Sequence, residues 1–225
     1  MSRTGPMGPV AMGLAAILAI GSCSAGPSAT PTAECPTEAP SAQQAAQILA
    51  DVAGARVRTN KGEFRVELYG EAAPIATANF VALARCGFYD GITFHRVIPG
   101  FVIQAGDPQT RDNHDYFDGL GSGGPGYRFV IEPPAPALTY DPYVFAMANA
   151  GGTDTNGSQF FIDLADLNAQ LERSYTIFGL VTGGTEIVDA IGQLPTSADQ
   201  VPLDPAIIES IEIVTGTTDE ASPEA

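Results

Sequence analysis

The sequence predicts a mainly β domain, and three observations carry that expectation. Short apolar runs recur at even spacing and are separated by Gly- and Pro-containing turns, the pattern of a sandwich or barrel. One stretch alternates apolar and polar residues on both sides of a turn, as a hairpin does. Only one long segment has helical spacing.

In chain order, "RVRTNKGEFRVELYG" (Arg56 to Gly70) reads as the hairpin: Val57, Phe64, Val66 and Leu68 alternate with polar residues around Asn60-Lys61-Gly62. "APIATANFVALARCG" (Ala73 to Gly87) follows with Ile75, Asn79-Phe80 and Leu83 on one helical face, Pro74 at the start and Gly87 at the stop. Strands are expected at Ile92 to Val97, Phe101 to Gln104, Tyr127 to Ile131, Tyr143 to Met147, Gln159 to Leu164, Tyr175 to Leu180 and Ile207 to Val214. Two short helical runs, Ala165 to Leu171 and Gly184 to Ile191, interrupt them, and Gln47 to Gly54 reads as a short helix or lead-in.

Outside this domain, assigned to residues 51–215, the composition changes. Residues 1–22 carry one positive charge, Arg3, then an apolar run from Val10 to Ile20 that is shorter than the about 20 residues a bilayer core requires. This reads as a signal segment. Ile20-Gly21-Ser22-Cys23 resembles a bacterial lipobox, which implies lipidation at Cys23 and a membrane anchor on the extracytoplasmic face; ordinary cleavage nearby, giving a secreted or periplasmic protein, is the alternative. Residues 23–50, rich in Pro, Ala, Ser and Thr, read as a flexible tether, and residues 216–225 as a disordered acidic tail.

The net charge of −16 repels nucleic acid and anionic lipid headgroups, so nucleic acid is excluded as a partner. His95 and His114 are the only histidines, and no cysteine spacing suits zinc, so no metal and no cofactor is expected. Gly119 to Gly124 matches G-x-G-x-x-G, but Pro125 follows where a helix would have to begin. Asp112, Asp115 and Asp118 lack EF-hand spacing, and Ser158 lacks a nucleophile-elbow context. Cys35 and Cys86 are either a disulfide, as export permits, or two free thiols.

One stretch carries chemistry. "FHRVIPGFVIQ" (Phe94 to Gln104) closely resembles the signature of the cyclophilins, the peptidyl-prolyl cis-trans isomerases. Met147-Ala148-Asn149-Ala150-Gly151 and Thr155 to Phe161 ("TNGSQFF") resemble the family's second signature, with "YTIFGLV" (Tyr175 to Val181) after them. The resemblance implies a closed eight-stranded antiparallel β-barrel capped by two α-helices that binds proline-containing segments; with the signal segment, unfolded exported proteins are the expected partners, and the chain is expected to be a monomer.

It also gives roles to residues. Arg96, Gln104 and Phe101 are the catalytic candidates; Val102, Phe161, Leu171 and Tyr175 should complete a proline slot, and Ala148 and Asn149 should offer a strand edge to the substrate chain. The chemistry supports the set independently. Rotating an Xaa-Pro amide costs its resonance, a barrier of ~18–20 kcal/mol. A guanidinium aimed at the pyramidal nitrogen of the twisted amide interacts better with the transition state than with either planar state. The chain has no Trp, and Gln170 occupies the position at which many family members carry one, which implies weak cyclosporin affinity. The Pro-rich stretch Glu132 to Phe145 also departs from the family pattern. A proline-binding module or holdase on the same fold is the alternative to an isomerase.

Overall fold

The computed structural model describes residues 1, 2, 5 and 34–216. The signal segment, Cys23, the first part of the tether and nearly all of the acidic tail lie outside the described residues.

Eight strands form one antiparallel sheet. They are β1 (Val52–Thr59), β2 (Gly62–Leu68), β3 (Arg96–Ile98), β4 (Val102–Ala105), β5 (Val144–Met147), β6 (Phe160–Asp163), β7 (Ile177–Gly183) and β8 (Ile208–Thr215), with α1 (Ala42–Ile48), α2 (Pro74–Arg85) and α3 (Thr185–Gly192) around them. The order across the sheet is β3-β4-β6-β5-β7-β2-β1-β8. The expected closed barrel therefore gives way to a curled sheet whose ladder is open between β3 and β8. The segment before β3 meets only the start of β8, through the bridge between Thr93 and Ile207 and backbone bonds from Gly91 N–H to the Ile208 carbonyl, Ile208 N–H to the Ile92 carbonyl and Phe94 N–H to the Ala206 carbonyl. The chain cannot extend that ladder along β3, because Val97 gives its N–H to Gln200 of a neighbouring loop instead.

Helix α2 begins at Pro74, and its N-cap residue Ala73 has no capping side chain. The carboxylate of Glu132 fills the vacancy, accepting from the N–H groups of Ile75 at 3.0 Å and Ala76 at 2.8 Å. The Pro-rich stretch thus holds a helix end. Phe80 of α2 inserts into the inner face of the sheet against Tyr89, Phe145, Phe160 and Phe178, with ring centroids 5.3–5.9 Å apart.

Two helical expectations change. Three α-helices form, not two. The run Ala165 to Leu171 is a set of turns, because Asp166 accepts from the backbone and side chain of Asn168 and Leu167 gives its N–H to Tyr140. Such local side-chain bonds compete with a helix. The expected strand Tyr127 to Ile131 is reduced to one bridge, Phe129 to Asn156.

The tether also ends earlier than its composition suggests. Ser41 and Gln44 form a capping box at the start of α1, Ala45 is fully buried, and Ala39 packs against the main core. Cys35 is joined by a disulfide to Cys86 at the C-terminal end of α2. Of the two readings left open for these cysteines, the bonded one holds. The segment from Cys35 onward is a strap across α2.

The sheet buries apolar side chains on both faces. Ile103, Phe160, Ile162 and Phe145 belong to the main core, whereas Val102, Phe161, Ala146 and Ile177 belong to a second cluster with Val144, Tyr140 and Leu167. Strand alternation separates the two sets. Asp163, two residues beyond Phe161 and opposite Val102, falls on the face of the second cluster with no exposure and no partner for either carboxylate oxygen. Burial, helped by the charge of Asp141, raises its pKa to about 8.

Two expectations follow. Breaking the bridge, which spans 51 residues, with Cys35→Ser should cost about 2–4 kcal/mol of unfolding free energy, as typical disulfides do. Denaturant melts with and without reductant measure it, and an unchanged midpoint would show that the strap is not coupled to the domain. Asp163 is protonated in the fold across a range in which the unfolded residue, with a pKa of about 3.9, is ionised. Its contribution is therefore harmless below about pH 4 and increasingly destabilising up to pH 8, with a slope of at most about 1.4 kcal/mol per pH unit. The Asp163→Asn variant should lose that slope. Parallel melting-temperature profiles of the two proteins over this range would contradict it.

Candidate active site

The site is built on the hairpin β3–β4. Three residues, Pro99, Gly100 and Phe101, connect Ile98 to Val102, and Gly100 takes a φ of +71° that closes the turn at no steric cost. This fixes the register so that Arg96 stands directly opposite Gln104. Gln104 in turn faces Phe161 across β4–β6, and Phe161 faces Ala146 across β6–β5. Directly paired residues point to the same side of a sheet. One row therefore runs from the guanidinium through an amide to an aromatic ring.

Arg96 Nη1 donates to Gln104 Oε1 at 3.4 Å, and Arg96 Nε donates to Gln200 Oε1 at 2.8 Å. Partial burial lowers the arginine's pKa from its ordinary value, offset in part by Tyr175 nearby. Two neutral amides hold it, with no carboxylate paired to it among the described residues. An arginine that is not neutralised keeps its field available to a substrate.

Gln104 Nε2 donates to Gln159 Oε1 at 2.9 Å, and Gln159 Nε2 donates to the carbonyls of Gly121 and Gly123 at 2.8 and 2.7 Å. The same loop is gripped from behind by the buried carboxylate of Asp107, which accepts from the N–H groups of Gly121 at 2.7 Å and Gly123 at 3.2 Å. Gly106 allows this closeness: a Cβ there would strike the Ser158 carbonyl and lie 2.7 Å from the Cα of Gln159. His95, next to Arg96, is buried with neither ring nitrogen partnered, and burial pushes its pKa down to about 4. It is neutral at physiological pH and adds no charge to the site.

The apolar candidates converge. Val102 and Phe161 are buried in the second cluster, and Phe101, Ala148, Leu171 and Tyr175 pack against it while partly exposed. Tyr175 meets Phe161 edge to face, with centroids 5.4 Å apart at 87°. Gln170 is exposed and does not belong to this cluster.

The expected strand edge at Ala148 and Asn149 takes a different form. Strand β5 lies between β6 and β7, and the Ala148 N–H is already given to the Gln159 carbonyl at 2.9 Å. Past the end of β5, the Ala148 carbonyl and the Asn149 N–H have no backbone partner among the described residues. The Asn149 side chain is spent locally, donating to the Ser174 carbonyl at 3.1 Å and accepting from the Gly151 N–H at 3.1 Å. Gln159 and Gln200 were not among the sequence candidates. Gln159 stands inside the "GSQFF" motif and was legible there; Gln200 has no sequence signal, because it reaches Arg96 across 104 residues from a turn where its own φ is +67°.

Comparison with known proteins agrees with this geometry. The model for "Cyclophilin type peptidyl-prolyl cis-trans isomerase/CLD" matches residues 55–213. The chain is 44% identical over 179 residues to a probable peptidyl-prolyl cis-trans isomerase A of Mycobacterium leprae, covering 72% of this chain and 92% of that protein. It is 40% identical over 185 residues to the peptidyl-prolyl cis-trans isomerase B of Streptomyces anulatus, covering 74% of this chain and 99% of the other. A crystal structure of a Cryptosporidium parvum cyclophilin type peptidyl-prolyl cis-trans isomerase superposes with a TM-score of 0.65 at 37% identity, covering 72% of this chain and 98% of that one. A second structure of that protein, obtained in the presence of the dipeptide Ala-Pro, gives 0.64 at 38%. By its sequence, its sheet and the match over residues 55–213, the chain belongs to the cyclophilin-type peptidyl-prolyl cis-trans isomerase family.

Proposed function

We propose that this isomerase turns Xaa-Pro bonds by holding the proline ring against Phe101, Val102, Phe161, Leu171 and Tyr175 while Arg96 stabilises the twisted amide. The observation that carries the reading is the row of Arg96, Gln104 and Phe161 on three adjacent strands, which sets an unneutralised guanidinium beside an apolar cluster. As the amide rotates, its nitrogen becomes pyramidal and regains a lone pair. A donor directed at that lone pair binds the transition state more tightly than either ground state. The apolar walls displace water, which favours the less charge-separated twisted amide. The Ala148 carbonyl and Asn149 N–H bond the substrate backbone, and Gln104 and Gln200 are positioning residues that hold Arg96. No bond is made or broken, so neither metal nor cofactor enters the step.

The wider role we infer is assistance to the folding of exported proteins, by a monomer tethered through Cys23 to the extracytoplasmic face of the membrane. The lipobox-like Ile20-Gly21-Ser22-Cys23 and the Pro-rich residues that follow support this reading.

Exchange of an Ala-Xaa-Pro peptide, followed by NMR line shape, tests the mechanism. Acceleration should fall at least about tenfold in Arg96→Ala, a loss of about 1.4 kcal/mol of transition-state stabilisation, and Arg96→Lys should not restore it. Removing one positioning bond with Gln200→Ala should cost about two- to tenfold in kcat with little change in KM. If the protein binds the peptide and leaves its exchange unchanged, it is a proline-binding module. Location is tested separately: the wild type should partition with membranes and Cys23→Ala should not, and equal partitioning of the two would remove the lipid anchor.

A further inference from the structure

Beside the proline slot lies a pocket of about 590 Å³ that shares Gln104, Ala148, Asn149 and Gln159 with the candidate site. Its other walls are the glycine-rich loop from Gly121 to Gly126, then Tyr127 and Arg128. A chain seated along Ala148 and Asn149 borders this pocket, because both residues line it. The loop that lines it is held on two sides, by Asp107 through the N–H groups and by Gln159 through the carbonyls of Gly121 and Gly123. Tyr127 is fixed as well, donating its hydroxyl to Asn79 Oδ1 at 2.8 Å. Such a wall is organised before anything binds, which limits the entropy lost on binding.

The charge of this pocket runs against that of the chain. The protein has 26 acidic and 10 basic residues, yet no Asp or Glu lines the pocket and Arg128 is its one charged residue. Arg128 is exposed and makes neither an ion pair nor a hydrogen bond with any described residue. Most other described basic side chains are engaged, Arg56, Arg58, Lys61 and Arg85 with carboxylates and Arg111 and Arg173 with backbone carbonyls; Arg65 is also unpaired among the described residues but does not line the pocket. Arg96 adds a second cation on the side shared with the slot.

We propose that Arg128 is a specificity-determining residue, which makes the protein prefer Xaa-Pro segments that carry an Asp or Glu within about three residues of the proline. The inference rests on the isomerase reading above and names the substrate class of the same site. An exposed Arg–carboxylate pair contributes modestly, so the preference for an acidic over a neutral side chain should be about two- to fivefold in kcat/KM. It should weaken as salt screens the pair. A lysine at the same position is repelled and should fall below the neutral peptide.

The test uses the full chain and peptides in which Glu, Gln or Lys occupies each of the three positions before and after the Xaa-Pro unit. Wild type should rank Glu above Gln above Lys at one or more of these positions at low salt, with the ranking compressed at high salt. Arg128→Gln should flatten the ranking and Arg128→Glu should invert it. Equal kcat/KM for the three peptides in the wild type, or an unchanged ranking in Arg128→Glu, would overturn the proposal while the isomerase reading stands. If the wild type fails to accelerate even the Gln peptides, the isomerase reading fails and this one with it.

Discussion

The register between β4 and β6 is the constraint on which the rest of the structure depends. Pairing Gln104 with Phe161 and Val102 with Asp163 puts those side chains on one face and sends Ile103, Phe160 and Ile162 to the other. A slip of one residue would exchange the two faces, removing Phe160 from its aromatic neighbours and Phe161 from Tyr175. Because each face buries a cluster, the register is held from both sides. The hairpin turn then transfers it to β3, where Arg96 has no alternative to the place beside Gln104.

Polar groups behind this row are handled in two ways. Asp107 is buried but accepts from Gln109, Gly121 and Gly123, and so shapes the loop that Gln159 holds from the front. Asp163 is equally buried and has no such donors, so it keeps its proton. The contrast is one of hydrogen-bond donors and not of depth. The row of hydrogen bonds from Gln200 through Arg96 and Gln104 to Gln159 passes through neutral amides on both sides of the guanidinium, with no carboxylate paired to Arg96 among the described residues.

The strap belongs to the opposite economy of the fold. Ala39, Ala45 and the bridge from Cys35 to Cys86 secure α2, the helix that supplies Phe80 to the main core. Glu132 secures the other end of the same helix. Both ends of α2 are therefore fixed by residues distant in sequence, and the Pro-rich stretch that departs from the family pattern earns its place by capping the helix.

Apart from the run Tyr127 to Ile131, the strand periods, helix α2 with its proline start and glycine stop, and the Phe94 to Gln104 motif were legible in the sequence, because each depends on local spacing or on a fixed string of residues. The capping box of Ser41 and Gln44 was present too, but the surrounding Pro, Ala and Thr read as a tether, since composition does not reveal a disulfide that pins the segment down. The helix expected at Ala165 to Leu171 failed for the converse reason: its apolar spacing was real, and Asp166, Asn168 and Asp141 formed a turn in its place. By itself the sequence determined the family and named the candidate slot residues and the candidate arginine, which are matters of residue type and local order. Only the tertiary structure decided what holds that arginine, which backbone groups stay free at Ala148 and Asn149, and that Arg128 stands in an acid-free pocket, because those depend on groups brought together from separate segments of chain, up to 104 residues apart for Arg96 and Gln200.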